Sequence, residues 1–208
     1  MKPVTFSQNI ANQNSYLITY KNKALVIDPG FNGEAILTTI AKKQLLLEMV
    51  LITHGHYDHL RDVRLLATKH DFLLVIHADD YPNLVDTSLN YATSFNGSFQ
   101  IKQSQRVLQV KDNETIAFGT GNITVLHTPG HTRGSVCYLI DGTLFSGDTL
   151  FCGDAGRTDL AGGNPKMMKE SLIRLFHGLT NETIVYPGHE EMTSIGAERG
   201  HYLFLSHR

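Results

Sequence analysis

The chain has 208 residues, with 18 Lys and Arg against 20 Asp and Glu, which gives a formal net charge of −2. This balance argues against nucleic acid as the main partner, and no apolar run approaches the roughly 20 residues that a membrane-spanning helix needs. The N-terminus lacks the apolar core of a signal peptide, and the two cysteines of the chain do not make a disulfide framework. We therefore expect a cytoplasmic protein that acts on a small molecule, and the oligomeric state stays open.

Strand and helix patterns alternate along the chain, without a linker or a repeat. In the first half, apolar runs predict strands and helical periodicity predicts helices. Residues 86–104 are polar and have no clear period, which indicates a functional loop or lid. The predicted strands are 16–20, 24–27, 49–53 and 72–76, and the predicted helices are 34–43 and 60–70.

The second half returns to strands. A helix over 165–177 is predicted to begin with Asn164 as its N-cap and Pro165 at its first position. Thr193 is expected to cap a closing helix. The predicted strands of this half are 107–110, 115–118, 123–127, 135–140, 143–146 and 183–186.

Eleven histidines are the unusual feature of the composition, and several follow predicted strands directly. Strand 49–53 leads into the segment His54-Gly-His-Tyr-Asp-His59. Strand ends and their loops form one rim of a layered fold, so side chains at these positions are expected to converge. The later residues of this kind are His131, Asp148 and His189.

The spacing within the histidine segment suits two neighbouring metal ions. Alternate residues of an extended stretch point the same way, so His54 and His56 can face one ion while Asp58 and His59 turn to another. Two ions about 3.5–4 Å apart need a bridging carboxylate and imidazoles from both sides, and His131, Asp148 and His189 supply what this segment lacks. Each residue taken singly is more often a capping, turn or surface residue. Together they favour metal binding.

These motifs make the sequence similar to the metallo-β-lactamase superfamily. They span residues 28 to 189, and five blocks in this order are highly specific. The resemblance implies an α/β fold, an αββα sandwich of two mixed sheets flanked by helices, with the site at one edge of the sheets. The blocks are Asp28 after its strand, Thr53-His-Gly-His-Tyr-Asp-His59, Thr128-Pro-Gly-His131-Thr, Ser146-Gly-Asp148-Thr and Pro187-Gly-His189.

The resemblance also implies two divalent metal ions per chain. Zinc is the expected metal, and iron or manganese also suits a mixed His/Asp site. Asp28 is similar to the family's outer carboxylate, which orients a ligand histidine. The implied ligands are His54, His56 and His131 for one metal, Asp58, His59 and His189 for the other, and Asp148 as the bridge.

Within the superfamily, the segment 147–159 resembles the glyoxalase II-like (hydroxyacylglutathione hydrolase-like) branch. Asp148 differs from the Cys that true β-lactamases place at this position. Two features depart from the branch: Arg61-Asp62 replaces the usual Gly-Gly, and the chain ends about nineteen residues after His189. We expect residues 1–208 to form one domain of this type, without the C-terminal domain that helps glyoxalase II hold glutathione.

The resemblance and the implied ligands together predict hydrolysis of a thioester. Water between two cations ionises near neutral pH, and the resulting hydroxide would attack the thioester carbonyl. Asp58 and Asp148 are the predicted catalytic carboxylates, because they would hold the metals that activate this nucleophile. No Ser or Cys nucleophile is required.

Substrate contacts are predicted from three residues. Arg157 suits a substrate carboxylate, and an ion pair with Asp154 or Asp159 is the equally weighted alternative. Arg61, in place of a glycine, and Tyr91, in the irregular segment, are the other candidates. The acyl group and the thiol carrier are not determined by the sequence.

Three alternative functions stay open. The first is a mononuclear iron persulfide dioxygenase of the same superfamily, in which His54, His131 and Asp148 would bind the iron. The second is hydrolysis of lactones or other esters by the same metal pair. The least favoured is a non-catalytic metal-binding module, because structural zinc sites are closed and have four ligands.

Overall fold

The computed structural model describes residues 2–7 and 10–202, which contain two six-stranded sheets. In the first sheet, β1, β2 and β3 pair antiparallel, whereas β3 to β6 pair parallel. The parallel half directs the C-terminal ends of several strands to one edge. In spatial order, the strands are β1 (Val4–Phe6), β2 (Ser15–Tyr20), β3 (Lys23–Ile27), β4 (Leu46–Leu51), β5 (Leu73–His77) and β6 (Val107–Val110).

The second sheet is also mixed. Its neighbours pair antiparallel except for one parallel pair, β10 with β11. That pair directs two more strand ends to the same side. The spatial order runs from β12 to β7, with β7 (Thr115–Phe118), β8 (Gly121–His127), β9 (Val136–Ile140), β10 (Thr143–Gly147), β11 (Ile184–Pro187) and β12 (Thr193–Ser194).

Helices connect the strands and cover the outer faces of both sheets. The longest, α5, begins as predicted, because Asn164 Oδ1 accepts hydrogen bonds from the backbone N–H groups of Lys166 and Met167. Across residues 2–7 and 10–202, no helix has the length and apolarity needed to span a bilayer. The helices are α1 (Gly33–Lys42), α2 (Tyr57–Leu60), α3 (Val63–Leu66), α4 (Tyr81–Val85), α5 (Pro165–Gly178) and α6 (Ile195–His201).

Three apolar clusters define the layers of the molecule. Strand β3 is buried on both faces: Ala24 and Val26 pack towards α1 and its neighbours, whereas Leu25 and Ile27 pack between the two sheets. This division follows from the alternation of side chains along a strand. The third cluster lies between the second sheet and α5. The order of layers confirms the predicted αββα sandwich.

The predicted helix over 60–70 is wrong as one continuous element. The chain forms two short helices, α2 and α3, because the backbone N–H of Asp62 bonds to the carbonyl of Gly30, 2.9 Å away, instead of continuing the helix. A contact from outside the segment thus overrides its helical periodicity.

The predicted cap at Thr193 is also wrong, by one residue. Helix α6 begins at Ile195, and its N-cap is Ser194, whose hydroxyl accepts a hydrogen bond from the N–H of Ala197. The Thr193 hydroxyl donates to a carboxylate oxygen of Glu198, which lies in the first turn. The hydroxyl groups of Thr193 and Ser194 therefore both form hydrogen bonds with the first turn of α6.

Candidate metal centre

Four strand ends place the predicted ligands at one edge of the sandwich. The chain leaves β4, passes through the buried His54 in extended conformation and enters α2, for which His56 is the N-cap. The other three ligand positions follow strands β8, β10 and β11. In the second sheet, β10 and β11 pair parallel, and β8 runs in the same direction as β10 because both pair antiparallel with β9, so these three strands end at the same edge.

The first group of side chains contains His54, His56 and His131. One potential ligand atom from each lies within 4.8 Å of the others. The closest pair is His56 Nδ1 and His131 Nε2, which are 2.8 Å apart. All three residues are buried.

The second group contains Asp58, His59 and His189, whose ligand atoms also lie within 4.8 Å of one another. His189 Nε2 is 3.5 Å from Asp58 Oδ2. The rings of His54 in the first group and His59 in the second have centroids 4.1 Å apart, so the two groups lie side by side.

Asp148 lies between the two groups. Its Oδ2 is 3.4 Å from His131 Nε2 and 3.6 Å from His189 Nε2, and its Oδ1 is 3.3 Å from His59 Nε2. One carboxylate thus faces imidazoles of both groups, which is the placement that a bridging ligand needs.

The outward nitrogens of three histidines already have partners. Nδ1 of His54 lies 3.1 Å from the Thr53 hydroxyl, Nδ1 of His59 lies 2.9 Å from Asp28 Oδ2, and Nδ1 of His131 lies 2.8 Å from the Arg157 carbonyl. Such contacts fix ring orientation, so the Nε2 atoms face the site.

Buried atoms without hydrogen-bond partners test whether this site fits a metal. Among the described residues, Nε2 of His54, His56 and His59 and Oδ1 of Asp148 make no hydrogen bond, and the 3.3 Å approach of His59 Nε2 to Asp148 Oδ1 is not one either. Buried polar atoms are normally paired, and imidazole nitrogens with carboxylate oxygens are the donors that zinc and iron prefer. The donor set therefore fits a divalent metal.

The electrostatics of the site separate its histidines into two kinds. Burial and the neighbouring imidazoles lower the pKa of His54 and His56, and that of His56 falls to about 3. Burial also lowers the pKa of His59, but Asp148, Asp28 and Asp58 outweigh it and raise that pKa well above its usual value. His54 and His56 are thus neutral at pH 7, which is the form that binds metal.

Asp80 is a site residue that the sequence analysis missed. It is buried directly beyond β5, and its carboxylate accepts hydrogen bonds of 2.7 Å from the N–H of Gly55, the N–H of Gly134 and the hydroxyl of Thr132. One carboxyl group thus joins Gly55, between His54 and His56, to the loop that follows His131. Its position after a strand was the available signal.

Two glycines allow the backbone to approach the ligands closely. A Cβ at Gly188 would lie 2.2 Å from Asp148 Oδ1 and 2.8 Å from His59 Cε1. Gly147, with a φ of +49°, leaves no room for a Cβ next to the side chain of Thr53. The absence of a side chain at Gly188 and Gly147 therefore lets the backbone pass close to Asp148, His59 and Thr53.

A cavity of about 550 Å³ opens onto both groups. Tyr91 and Arg157 line it, as the sequence analysis proposes for substrate contacts, but Arg61 does not. The lining consists of His56, Asp58, Tyr91, Ser94, Phe95, His131, Asp148, Phe151, Asp154, Ala155, Arg157, Leu160, His189 and Glu190.

The two arginine candidates have partners within the chain. Arg157 forms two hydrogen bonds with the Asp159 carboxylate, of 2.7 and 2.8 Å, which is the alternative pairing weighed above. Arg61 pairs with Asp62 at 2.8 Å and lies over the ring of Phe31. Asp62 in turn accepts the N–H of Gly33 at the start of α1, so the Arg61-Asp62 pair contributes to the packing of α1.

A separate group, His77, Asp79 and His127, also brings ligand atoms together. Its imidazoles stack with centroids 4.0 Å apart and planes inclined by 11°. Lone pairs in parallel planes do not converge on one ion at the usual Zn–N distance of about 2.1 Å. His127 Nε2 also lies 2.9 Å from the Arg133 carbonyl, so this group packs as a stacked pair.

Comparison with known protein families gives one match that covers most of the chain. Residues 10–189 match the model of the metallo-beta-lactamase superfamily. YqgX of Bacillus subtilis, assigned by inference as a metallo-hydrolase, is 31% identical over 93% of this chain and 92% of its own length. A hydroxyacylglutathione hydrolase of Shewanella loihica is 37% identical over 79% of this chain and 56% of its own length.

Solved structures of metallo-beta-lactamase type also match nearly the whole chain. The crystal structure of the BLEG-1 B3 metallo-beta-lactamase matches with a TM-score of 0.89 and 31% identity, covering 99% of this chain and all of the other. TTHA1623, solved in a di-iron-bound form, matches with a TM-score of 0.82 and 33% identity over 95% of this chain and 96% of its own.

Proposed function

Since the chain belongs to the metallo-beta-lactamase superfamily, we propose that it is a metallo-hydrolase that uses two divalent ions to cleave thioesters. The observation that carries the proposal is the position of Asp148 between two groups of ligand atoms. A single ion would need the ligand atoms of only one of these groups. Zinc is the proposed metal, and iron is the alternative suggested by the di-iron relative.

The residues of the chain have distinct roles in this proposal. When bound, two such ions supply a water with a pKa near 7 and a Lewis acid for the carbonyl oxygen. Asp58 and Asp148, with the five histidines, would hold the ions, and Asp28 orients His59. In the overall reaction, the water oxygen bonds to the carbonyl carbon, the C–S bond breaks, and the sulfur leaves as a thiol with one proton from the water.

The cysteines support a mechanism without a protein nucleophile. Cys137 is buried, and burial raises the pKa of its thiol to about 11. Cys152 is exposed and does not belong to the cavity lining. A thiolate nucleophile needs a lowered pKa and access to substrate; burial denies both to Cys137, and Cys152 lies outside the cavity.

Hydrolysis of a β-lactam is the second candidate. The similarity to BLEG-1 supports it, although the sequence analysis set this class aside because of Asp148. The same ligands serve amide, ester and thioester carbonyls, so the fold does not separate these substrates. The thioester is preferred because of the hydroxyacylglutathione hydrolase relative and because a thiolate leaves more readily than an amide nitrogen.

A substrate panel tests the proposal on protein loaded with zinc and, separately, with iron. We expect hydrolysis of lactoylglutathione or simple acyl thioesters, and no comparable rate with a chromogenic β-lactam. Asp148→Asn is expected to lower kcat at least a hundredfold, whereas the exposed control Asp71→Asn keeps full activity. Preference for the β-lactam, or oxygen consumption with glutathione persulfide on iron protein and no thioester hydrolysis, would overturn the proposal.

A further inference from the structure

Tyr91, Phe95 and Leu160 are among the side chains that line the cavity beside the candidate metal centre, and we call these three the aromatic wall. Phe95 is 38% exposed, yet its ring packs against two others, with centroid distances of 5.6 Å to Phe31 and 5.7 Å to Tyr57. A large exposed apolar side chain that is fixed on one side and lines a cavity on the other suits contact with an apolar ligand group.

Tyr91 fixes this wall in relation to the ligands. Its hydroxyl accepts a hydrogen bond of 2.7 Å from the N–H of Ala161, which joins two loops 70 residues apart in the sequence. Its ring meets His56 edge-on at a centroid distance of 5.2 Å. The wall therefore begins directly beside the first ligand group.

The charges of the cavity disfavour a carboxylate at the same place. Apart from the histidines, Arg157 is the one cationic side chain among the described residues that line the cavity. Asp159 binds it through both carboxylate oxygens. Asp154 and Glu190 also line the cavity, so away from the proposed metal ions an anionic group would find no unpaired cationic side chain.

We propose that the aromatic wall binds the acyl group of the substrate, and that the substrates are thioesters with apolar, uncharged acyl groups. This inference rests on the proposed thioester hydrolysis and adds the class of acyl group. Transfer of one methylene from water to an apolar surface corresponds to about fourfold in affinity, and partial burial reduces this to about twofold.

A chain-length series provides the test, with N-acetylcysteamine as the uncharged thiol. We expect kcat/KM to rise about two- to fourfold per methylene from the acetyl to the pentanoyl thioester. Succinyl thioester, similar in length to pentanoyl but negatively charged, is expected to react at least tenfold more slowly than pentanoyl.

Variants of Phe95 locate the effect. Phe95→Ala is expected to flatten the dependence of kcat/KM on acyl chain length, and Phe95→Leu is expected to keep most of that dependence. Leu89→Ala is the matched control, because Leu89 is 44% exposed in the same irregular segment but lies outside the cavity lining. Metal content is measured for each variant, so that loss of ions is recognised.

The outcomes separate the two proposals. Good hydrolysis of acetyl thioester with no gain from longer chains, or a gain that Phe95→Ala leaves unchanged, would overturn the apolar acyl site and leave thioester hydrolysis intact. Faster hydrolysis of succinyl than of pentanoyl thioester would do the same. Failure to hydrolyse any thioester in the series would overturn the proposed function itself.

Discussion

Asp28 Oδ2 lies 2.9 Å from His59 Nδ1, and both side chains are buried. The carboxylate is itself fixed, because Oδ1 accepts the N–H of Thr53 at 2.8 Å and Oδ2 accepts its hydroxyl at 2.6 Å. The residue that follows β3 therefore orients the last histidine of the segment 54–59. This contact makes His59 Nε2 the atom that faces Asp148.

Asp28→Asn is expected to weaken binding of one of the two metal ions by about ten- to a hundredfold, because the variant loses the charge that orients the imidazole. Titration against a chromophoric chelator measures the two affinities separately. The exposed Asp71→Asn is the control and should bind metal as the wild type does. Unchanged affinity in Asp28→Asn would contradict a role for this contact.

Metal uptake is expected to release a proton from His59. Burial lowers the pKa of His59, but Asp148, Asp28 and Asp58 raise it well above its usual value. In the metal-free protein the His59 imidazole is therefore protonated on both nitrogens at pH 7. Metal and proton then compete, and metal affinity falls as the pH decreases below this raised pKa. Calorimetry in buffers with different ionisation heats counts the protons. Absence of proton release at pH 7 would contradict the assignment.

A methyl group at Gly188 is expected to disrupt the metal centre. The Cβ of Gly188→Ala would lie 2.2 Å from Asp148 Oδ1, so the bridging carboxylate must move. The variant should lose at least one of the two ions while it stays folded by circular dichroism. Gly178→Ala, whose Cβ meets nothing within 4 Å, is the matched control with unchanged metal content.

Asp80→Asn is expected to loosen the first ligand group. The amide nitrogen of the variant would face an N–H or hydroxyl donor, and an unpaired buried group of this kind costs about 1–3 kcal/mol. We expect a lower melting temperature and weaker binding of one ion. Asp79→Asn, whose side chain is 59% exposed, is the neighbouring control. Wild-type affinity in Asp80→Asn would show that these three hydrogen bonds do not position the ligands.

The sequence predicts those residues of the site that belong to short local motifs. His54 to His59 lie within six residues, and the later ligands each follow a strand and a Gly or Pro-Gly turn. This spacing indicates where the side chains lie, because the strand ends that bear them meet at one edge of the sandwich. The residues that orient the ligands are less visible, since Asp80 acts through contacts with residues 25 to 54 positions away.

Tertiary contacts explain the elements that the sequence misassigned. The pattern of Val63, Leu66 and Ala67 is helical, but it does not reveal that the N–H of Asp62 bonds to Gly30 and divides the helix. Nor does it reveal that Arg61 pairs with Asp62 and packs on Phe31. From the sequence alone, an arginine in place of a glycine is as consistent with a substrate contact as with an ion pair inside the protein.

The central claim is a pair of metal ions that shares Asp148, and elemental analysis of the purified protein tests it most directly. After anaerobic reconstitution with zinc or iron, we predict close to two ions per chain in the wild type and at most one in Asp148→Ala. A single ion per chain that no reconstitution increases would contradict the dinuclear centre, and so would two ions retained by Asp148→Ala.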